Sequence, residues 1–267
     1  MKVYVLDTGW LECDKSSMVA MATAGTKSKP NVQNKWIKIP VMAILIDHPC
    51  GKILFDTGSN PKAMEGYWPK NLTETFPFYK EEKQGLIEQL ALCNTTPEEI
   101  KTVVLSHLHL DHAGNLELFK HADVYVAKAD FEYGLTCVHK TPNAECHGAY
   151  IKADLEVPVK EFHLVEEDFT LAEGVEIINL PGHTPGLLGV MVHLDKEGTL
   201  IFPQDCVYSR ENYEPIVRGS GIMYDSLAYF KSIEKVKKLE KKYQGKVMFA
   251  HDMEFFQGIK KAPEYYE

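Results

Sequence analysis

The sequence predicts an α/β fold, on three observations. Short apolar, β-branched runs recur along the 267 residues, Ser226–Tyr243 has the pattern of an amphipathic helix, and the densest group of chemically able side chains directly follows one of the apolar runs. The length suits one α/β core, so residues 1–267 are read as a single domain. Hydrophobic residues make up 45% and charged residues 25%, which excludes wholesale disorder, collagen and coiled coil.

Taken in order, Val3–Leu6 opens a sheet. Residues 15–38 mix Gly25, Pro30, Ser, Asn and Lys and read as a long loop, which in a compact domain is usually either functional or disordered. Val41–Ile46 and Ile53–Phe55 form a hairpin about a turn at Gly51-Lys52, running into Asp56-Thr57-Gly58. Residues 61–80, with Pro61, Pro69, Pro77 and many aromatics, read as a second irregular loop. Gly85–Leu92 is a helix, and Thr96-Pro97-Glu98-Glu99 starts a short one, with Thr96 as N-cap and Glu99 completing a capping box. Strands follow at Thr102–Leu105, Val124–Val126, Val175–Leu180, Leu188–His193, Leu200–Phe202 and Val247–Ala250. On the 226–243 helix an apolar stripe of Leu227, Phe230, Ile233, Val236, Leu239 and Tyr243 opposes a lysine-rich side, interleaved with Glu234 and Glu240, that reads as a solvated face.

The net charge of −9, from 29 basic and 38 acidic residues, argues against nucleic acid as partner and against docking on anionic membranes. The first residues, MKVYVLDTGWLE, do not read as a signal peptide, and no run of about 18 apolar residues exists. The expectation is a cytoplasmic protein. Its six scattered cysteines, with no C-x-x-C pair, are read as buried hydrophobes rather than a disulfide framework.

The chemistry concentrates in Ser106-His107-Leu108-His109-Leu110-Asp111-His112-Ala113-Gly114. Three histidines and an aspartate this close would desolvate and repel one another unless a metal satisfied them. His183, Asp205 and His251 each lie just past a later apolar run, and strand ends of a sheet can bring such residues to one edge. Asp56, also at a strand end, is better suited to accepting a hydrogen bond from a ligand imidazole. His48, His121, His139, His147, His163 and His193 lie in no ligand-spaced pair and are read as structural or exposed, with His139 and His147 the foremost exceptions.

At these residues the chain resembles the metallo-β-lactamase superfamily: the motif His107-x-His109-x-Asp111-His112 is its signature, and Asp56, His183, Asp205 and His251 follow in the family's order. The resemblance implies an αββα sandwich, two mixed β-sheets packed face to face with helices outside, and a dinuclear metal site at one edge. Within the superfamily the N-acyl-homoserine lactonase, or quorum-quenching, branch is most similar. Asp205-Cys206-Val207-Tyr208 matches its Asp-x-x-Tyr, and both histidine segments and the end of the chain match as well. Loop 15–38 and Leu110, where some members carry an aromatic, depart from the pattern and put acyl-chain preference in question.

The resemblance implies that His107, His109 and His183 hold one metal, that Asp111, His112 and His251 hold the other, and that Asp205 bridges them. Two divalent ions follow, zinc first, with iron, cobalt and manganese also compatible with His and Asp ligands. The implied reaction is lactone opening by a hydroxide between the metals. Tyr208 would donate to the carbonyl oxygen and Asp111 relay a proton. The substrate would be a small-molecule lactone with an apolar acyl chain. Met18, Met21, Trp68, Phe76, Phe78 and Leu110 are the acyl-groove candidates, because they lie in the irregular loops or beside the metals. Asp205 stands where common dizinc β-lactamases use cysteine, and the adjacent Cys206 would point away if Asp205 points in. A glyoxalase-II-like thioesterase, which shares all the ligands, is the rival enzyme, and a metal-stabilised binding protein the remote one. Monomer and homodimer stay equally open.

Overall fold

The computed structural model describes residues 1–267. Twelve strands form two mixed sheets. They are β1 (Lys2–Asp14), β2 (Trp36–His48), β3 (Gly51–Phe55), β4 (Phe78–Tyr79), β5 (Ile100–Val104), β6 (Asp123–Ala127) and β7 (Glu161–Val165), then β8 (Phe169–Ala172), β9 (Val175–Asn179), β10 (Leu188–Leu194), β11 (Gly198–Phe202) and β12 (Lys246–Val247). The helices are α1 (Lys15–Met18), α2 (Lys70–Thr75), α3 (Leu86–Leu92), α4 (Lys128–His139), α5 (Lys152–Leu155), α6 (Arg210–Tyr213), α7 (Ser226–Tyr243) and α8 (Met253–Gln257). The first sheet runs β4-β1-β2-β3-β5-β6-β7 and the second β12-β11-β10-β9-β8.

Strand side chains alternate between faces, and here both faces are apolar, which is why the runs read as continuous. Val3, Val5, Ile44, Ile46, Ile53 and Phe55 meet Ile177, Val190, Val192 and Phe202 between the sheets. Their neighbours Tyr4, Leu6, Leu45 and Leu54 turn outward onto Leu86, Leu90 and Val138 of α3 and α4. On the other side Ile178, Met191 and Ile201 pack on Tyr229, Ile233 and Val236 of α7. The αββα layering expected from the resemblance is present.

Several local readings change. The hairpin turn is Pro49-Cys50, with His48 paired to Gly51, two residues earlier than Gly51-Lys52. The 15–38 segment is not all loop: it holds α1 and the first residues of β2. Likewise 61–80 carries α2 and β4. The α7 stripe is narrower than expected, since Leu227 is 73% and Phe230 40% exposed while Tyr229 is buried. Residues three apart drift about 60° per step around a 3.6-residue helix, so a strict three-residue repeat walks off the core-facing side.

The six cysteines are unpaired, and no helix is long and apolar enough to cross a membrane. Asp154 of α5 is buried with one oxygen unpartnered, while the other accepts the Tyr67 hydroxyl at 2.5 Å. Burial pushes this carboxyl up from 3.8 to about 7. The folded state therefore binds its proton more tightly than the unfolded chain, and stability falls as the pH rises through that window. Asp154→Asn should remove this decline and raise stability at pH 8 by roughly 1–3 kcal/mol, with little change at low pH. Melting curves of both proteins at pH 5 and pH 8 check this, and parallel shifts at the two pH values would contradict it.

Candidate metal centre and active site

The strand ends converge as expected. β3 and β5 are parallel, β11 and β12 are parallel, and β9 and β11 both run antiparallel to β10. Their C-terminal ends deliver Asp56, His107, His183, Asp205 and His251 to one edge of the sandwich. The His107–His112 segment follows β5 as an irregular loop and leads into a short 3₁₀ turn at Leu116–Phe119, rather than a full helix.

The seven expected ligands form two groups, His107–His109–His183–Asp205 and Asp111–His112–His251. All seven are buried. Asp205 lies between the groups. Its Oδ2 is 3.2 Å from His183 Nε2 and 3.6 Å from His107 Nε2, and its Oδ1 is 3.0 Å from His251 Nε2 and 3.3 Å from His112 Nε2. Asp111 Oδ2 is 3.6 Å from the Nε2 atoms of both His112 and His251. His109 faces inward through Nδ1, 3.0 Å from His183 Nε2.

Outer hydrogen bonds set the rings. His112 Nδ1 pairs with Asp56 Oδ2 at 2.8 Å. His251 Nδ1 donates to the Pro40 carbonyl at 2.9 Å, and His183 Nδ1 to the Ile222 carbonyl at 3.1 Å. Each turns its Nε2 lone pair toward the cluster. Asp56 also accepts Ser106 N at 2.7 Å, Ser106 Oγ at 2.9 Å and the Gln204 side-chain amide. Asp56 and Gln204 both adopt left-handed backbone, φ 62° and 45°, a local strain of the kind found at functional sites. Beside His183, Gly182 is required: a Cβ there would lie 2.2 Å from Tyr229 N.

Electrostatics divide the cluster. Burial, reinforced by neighbouring imidazoles, pushes His107 and His109 well below the usual histidine range, and burial also lowers His183. Burial would lower His112 and His251 too, but Asp111 and Asp205 outweigh it and raise both. Burial would raise Asp205, yet His112, His251, His183 and His107 hold it well below the usual carboxylate range. Three buried atoms of the cluster, His107 Nε2, His112 Nε2 and Asp205 Oδ1, have no hydrogen-bond partner. Buried imidazole nitrogens converging on carboxylates, two of them orphaned, fit divalent cations of the zinc, iron, cobalt or manganese type.

An apolar pocket lies over the cluster, lined by Leu11, Met18, Ile39, Phe76, Leu110, Ala149, Tyr208 and Ile222, with a volume of about 50 Å³. On the other flank of His109 and His183 opens a cavity of about 470 Å³, lined in part by Tyr133, Lys140, His147 and Tyr224. Of the acyl-groove candidates, Met18, Phe76 and Leu110 line the apolar pocket. The other three do not. Met21 is 79% exposed, and Trp68 and Phe78 pack against each other at a tilt of 49° in the hydrophobic cluster behind the pocket, with centroids 6.0 Å apart. Leu11, Ile39, Ala149 and Ile222 were not anticipated. Leu11 and Ile39 fall outside the expected strands Val3–Leu6 and Val41–Ile46, in parts of β1 and β2 that the sequence left unread, and nothing local marks Ile222.

Tyr208 is fully buried, with its hydroxyl 3.1 Å from His183 Nδ1. Burial and then Asp205 raise it well above the usual phenol range, so it stays protonated as a donor. Cys206 packs away from the site against Leu180 and Tyr229. His147 is buried with Nε2 bound to Thr141 O at 2.8 Å, and His139 lies exposed near Glu156. Neither joins the metal-ligand groups.

A model of the metallo-beta-lactamase superfamily matches residues 37–251. The chain belongs to the metallo-beta-lactamase superfamily. Within this superfamily it falls with the N-acyl homoserine lactonases. It is 33% identical to N-acyl homoserine lactonase AiiB of Rhizobium rhizogenes over 276 residues, covering 100% of this chain and 99% of that protein. AiiB of Agrobacterium fabrum is 32% identical with the same coverage. A solved N-acyl homoserine lactone hydrolase, with the product N-hexanoyl-L-homoserine bound at its catalytic metal centre, shares the fold at TM-score 0.84 and 24% identity, covering 99% of this chain and 98% of the other. A quorum-quenching N-acyl homoserine lactone lactonase superposes at TM-score 0.81 with 25% identity, covering 99% and 98%.

Proposed function

We propose that this chain, as one hydrolase domain over residues 1–267, opens the lactone ring of N-acyl homoserine lactones in the cytoplasm. The observation that carries the reading is a complete seven-residue ligand set beneath an apolar pocket, with a protonated, buried Tyr208 at the junction. Relatives of near-equal length named as N-acyl homoserine lactonases support it.

His107, His109 and His183 would hold one divalent ion, Asp111, His112 and His251 the other, and Asp205 both, zinc being the ion proposed. Such a pair supplies Lewis acidity toward water and toward a carbonyl. The protein's own groups do the rest. Met18, Phe76, Leu110 and Ile222 give the start of the acyl chain an apolar wall that excludes water, and the rest of the chain extends beyond this small pocket. The Tyr208 hydroxyl donates to the carbonyl oxygen as negative charge builds on it. Water adds to the carbonyl carbon, the ring C–O bond breaks, and Asp111 carries one of the water's protons to the departing ring oxygen, leaving an alcohol and a carboxylic acid that loses its proton to solvent as the carboxylate.

Tyr208→Phe should lower kcat by about 10²–10³-fold while leaving metal content unchanged. Steady-state kinetics with metal analysis on the same sample check this, and wild-type kcat in the variant would remove Tyr208 from the reaction. The activity itself is tested by following proton release from an N-acyl homoserine lactone alongside hydrolysis of a glutathione thioester. Ring opening with kcat/KM above about 10⁴ M⁻¹s⁻¹ supports the reading. Turnover of the thioester alone overturns it in favour of a glyoxalase-like hydrolase.

A further inference from the structure

Asp130, in the first turn of α4, is a buried carboxylate outside every metal-binding motif. Its Oδ2 accepts the Leu108 N–H at 2.8 Å, and Leu108 is the residue between His107 and His109. Its Oδ1 accepts the Tyr150 hydroxyl at 2.6 Å. The Tyr150 ring stands edge-on to the His109 imidazole, with centroids 4.8 Å apart at 72°. The opposite flank is as tight. A Cβ on Gly186 would lie 2.8 Å from Ala127 Cβ and 3.3 Å from Asp130 N, so the segment carrying His183 rests directly on the start of α4. The Leu188 N–H, just past that segment, donates to Ser106 O at 2.8 Å.

Asp130 thus sits where the two histidine segments meet. A buried carboxylate with no Lys or Arg partner adds little stability, and its two hydrogen bonds, to the backbone between His107 and His109 and to Tyr150, give it a geometric role instead. We propose that Asp130, acting through Leu108 and Tyr150, is a positioning residue that sets the spacing of the His107–His109–His183 trio. None of its hydrogen bonds reaches Asp111, His112 or His251, so its effect is confined to one of the two ion positions. The proposal rests on the metal-pair reading above.

The test is zinc affinity, measured on stripped protein by competition with a chromophoric chelator, with cobalt absorption as a second readout. Wild type should take up two equivalents. Asp130→Ala should weaken one of them by about 10–100-fold and spare the other, with a changed cobalt spectrum for the weakened equivalent. Asp130→Asn, whose amide oxygen still accepts the Leu108 N–H, should keep most of the affinity. Tyr150→Phe should weaken the same equivalent to a smaller degree, and it decides the matter if the alanine variant does not fold. Two unaltered equivalents in folded Asp130→Ala or in Tyr150→Phe, or equal weakening of both, overturn the proposal. A wild type that takes up no second equivalent overturns the metal-pair reading itself.

Discussion

Asp205→Asn is expected to cut lactone turnover by at least about 10³-fold and to strip the protein of bound metal. Each oxygen of Asp205 faces two imidazole nitrogens, at 3.0–3.6 Å, one oxygen toward each ligand group. An amide keeps the shape. It removes the charge, however, and turns N–H hydrogens toward two of those nitrogens, where donors meet the very lone pairs a cation needs. The charge matters because four imidazoles hold this carboxyl well below its usual range against the opposing pull of burial. Metal analysis after gel filtration, with turnover measured on the same sample, is the check. A folded Asp205→Asn protein that retains two equivalents and wild-type turnover would refute the bridging role.

The second large effect is on stability. Asp56→Ala should destabilise the protein by roughly 3–5 kcal/mol, the scale of breaking a buried, hydrogen-bonded charge. One carboxylate accepts from Ser106 N, Ser106 Oγ, the Gln204 amide and His112 Nδ1, and all four donors lose their partner together. Alanine also fits the left-handed backbone at φ 62° less well than Asp or Asn. For a chain of this size the melting temperature should fall by about 10 °C. Asp56→Asn should lie between, since it tolerates that backbone and keeps an acceptor for Ser106 N. A thermal melt of Asp56→Ala within about 1 °C of wild type would show that the four bonds contribute little.

Both predictions concern residues that were legible in the sequence. Asp205 and the six other ligands could be named from the chain because imidazole and carboxylate are uncommon in buried strand ends, and the spacing within 107–112 is tight. Asp56 could be placed beside a ligand because it too ended a strand. Nothing in the sequence marks Asp130, because α4 is only weakly amphipathic and the carboxylate acts through a backbone N–H on a distant segment. The α7 stripe erred for a helical reason, Tyr229 and not Leu227 facing the sheet.

The acyl pocket shows the limit most plainly. Met18, Phe76 and Leu110 share with Met21, Trp68 and Phe78 an apolar side chain in an irregular loop or beside the ligands, and only the first three line the pocket. Apolar side chains are interchangeable as chemistry, so sequence cannot say which of them turns toward a site and which into a core. That choice is made by contacts between segments far apart in the chain. The Asn212 amide donates to Met18 O, the Ala20 N–H to Gly219 O and the Gly221 N–H to Ser17 O, joining α1 to the loop that carries Ile222. The apolar strand runs and the candidate ligands were legible in the chain, because buried strands and metal ligation each demand particular residue types, while the layering followed from the family resemblance. The pocket wall and the support behind the histidines were decided by tertiary structure, because close packing and single hydrogen bonds leave no local pattern.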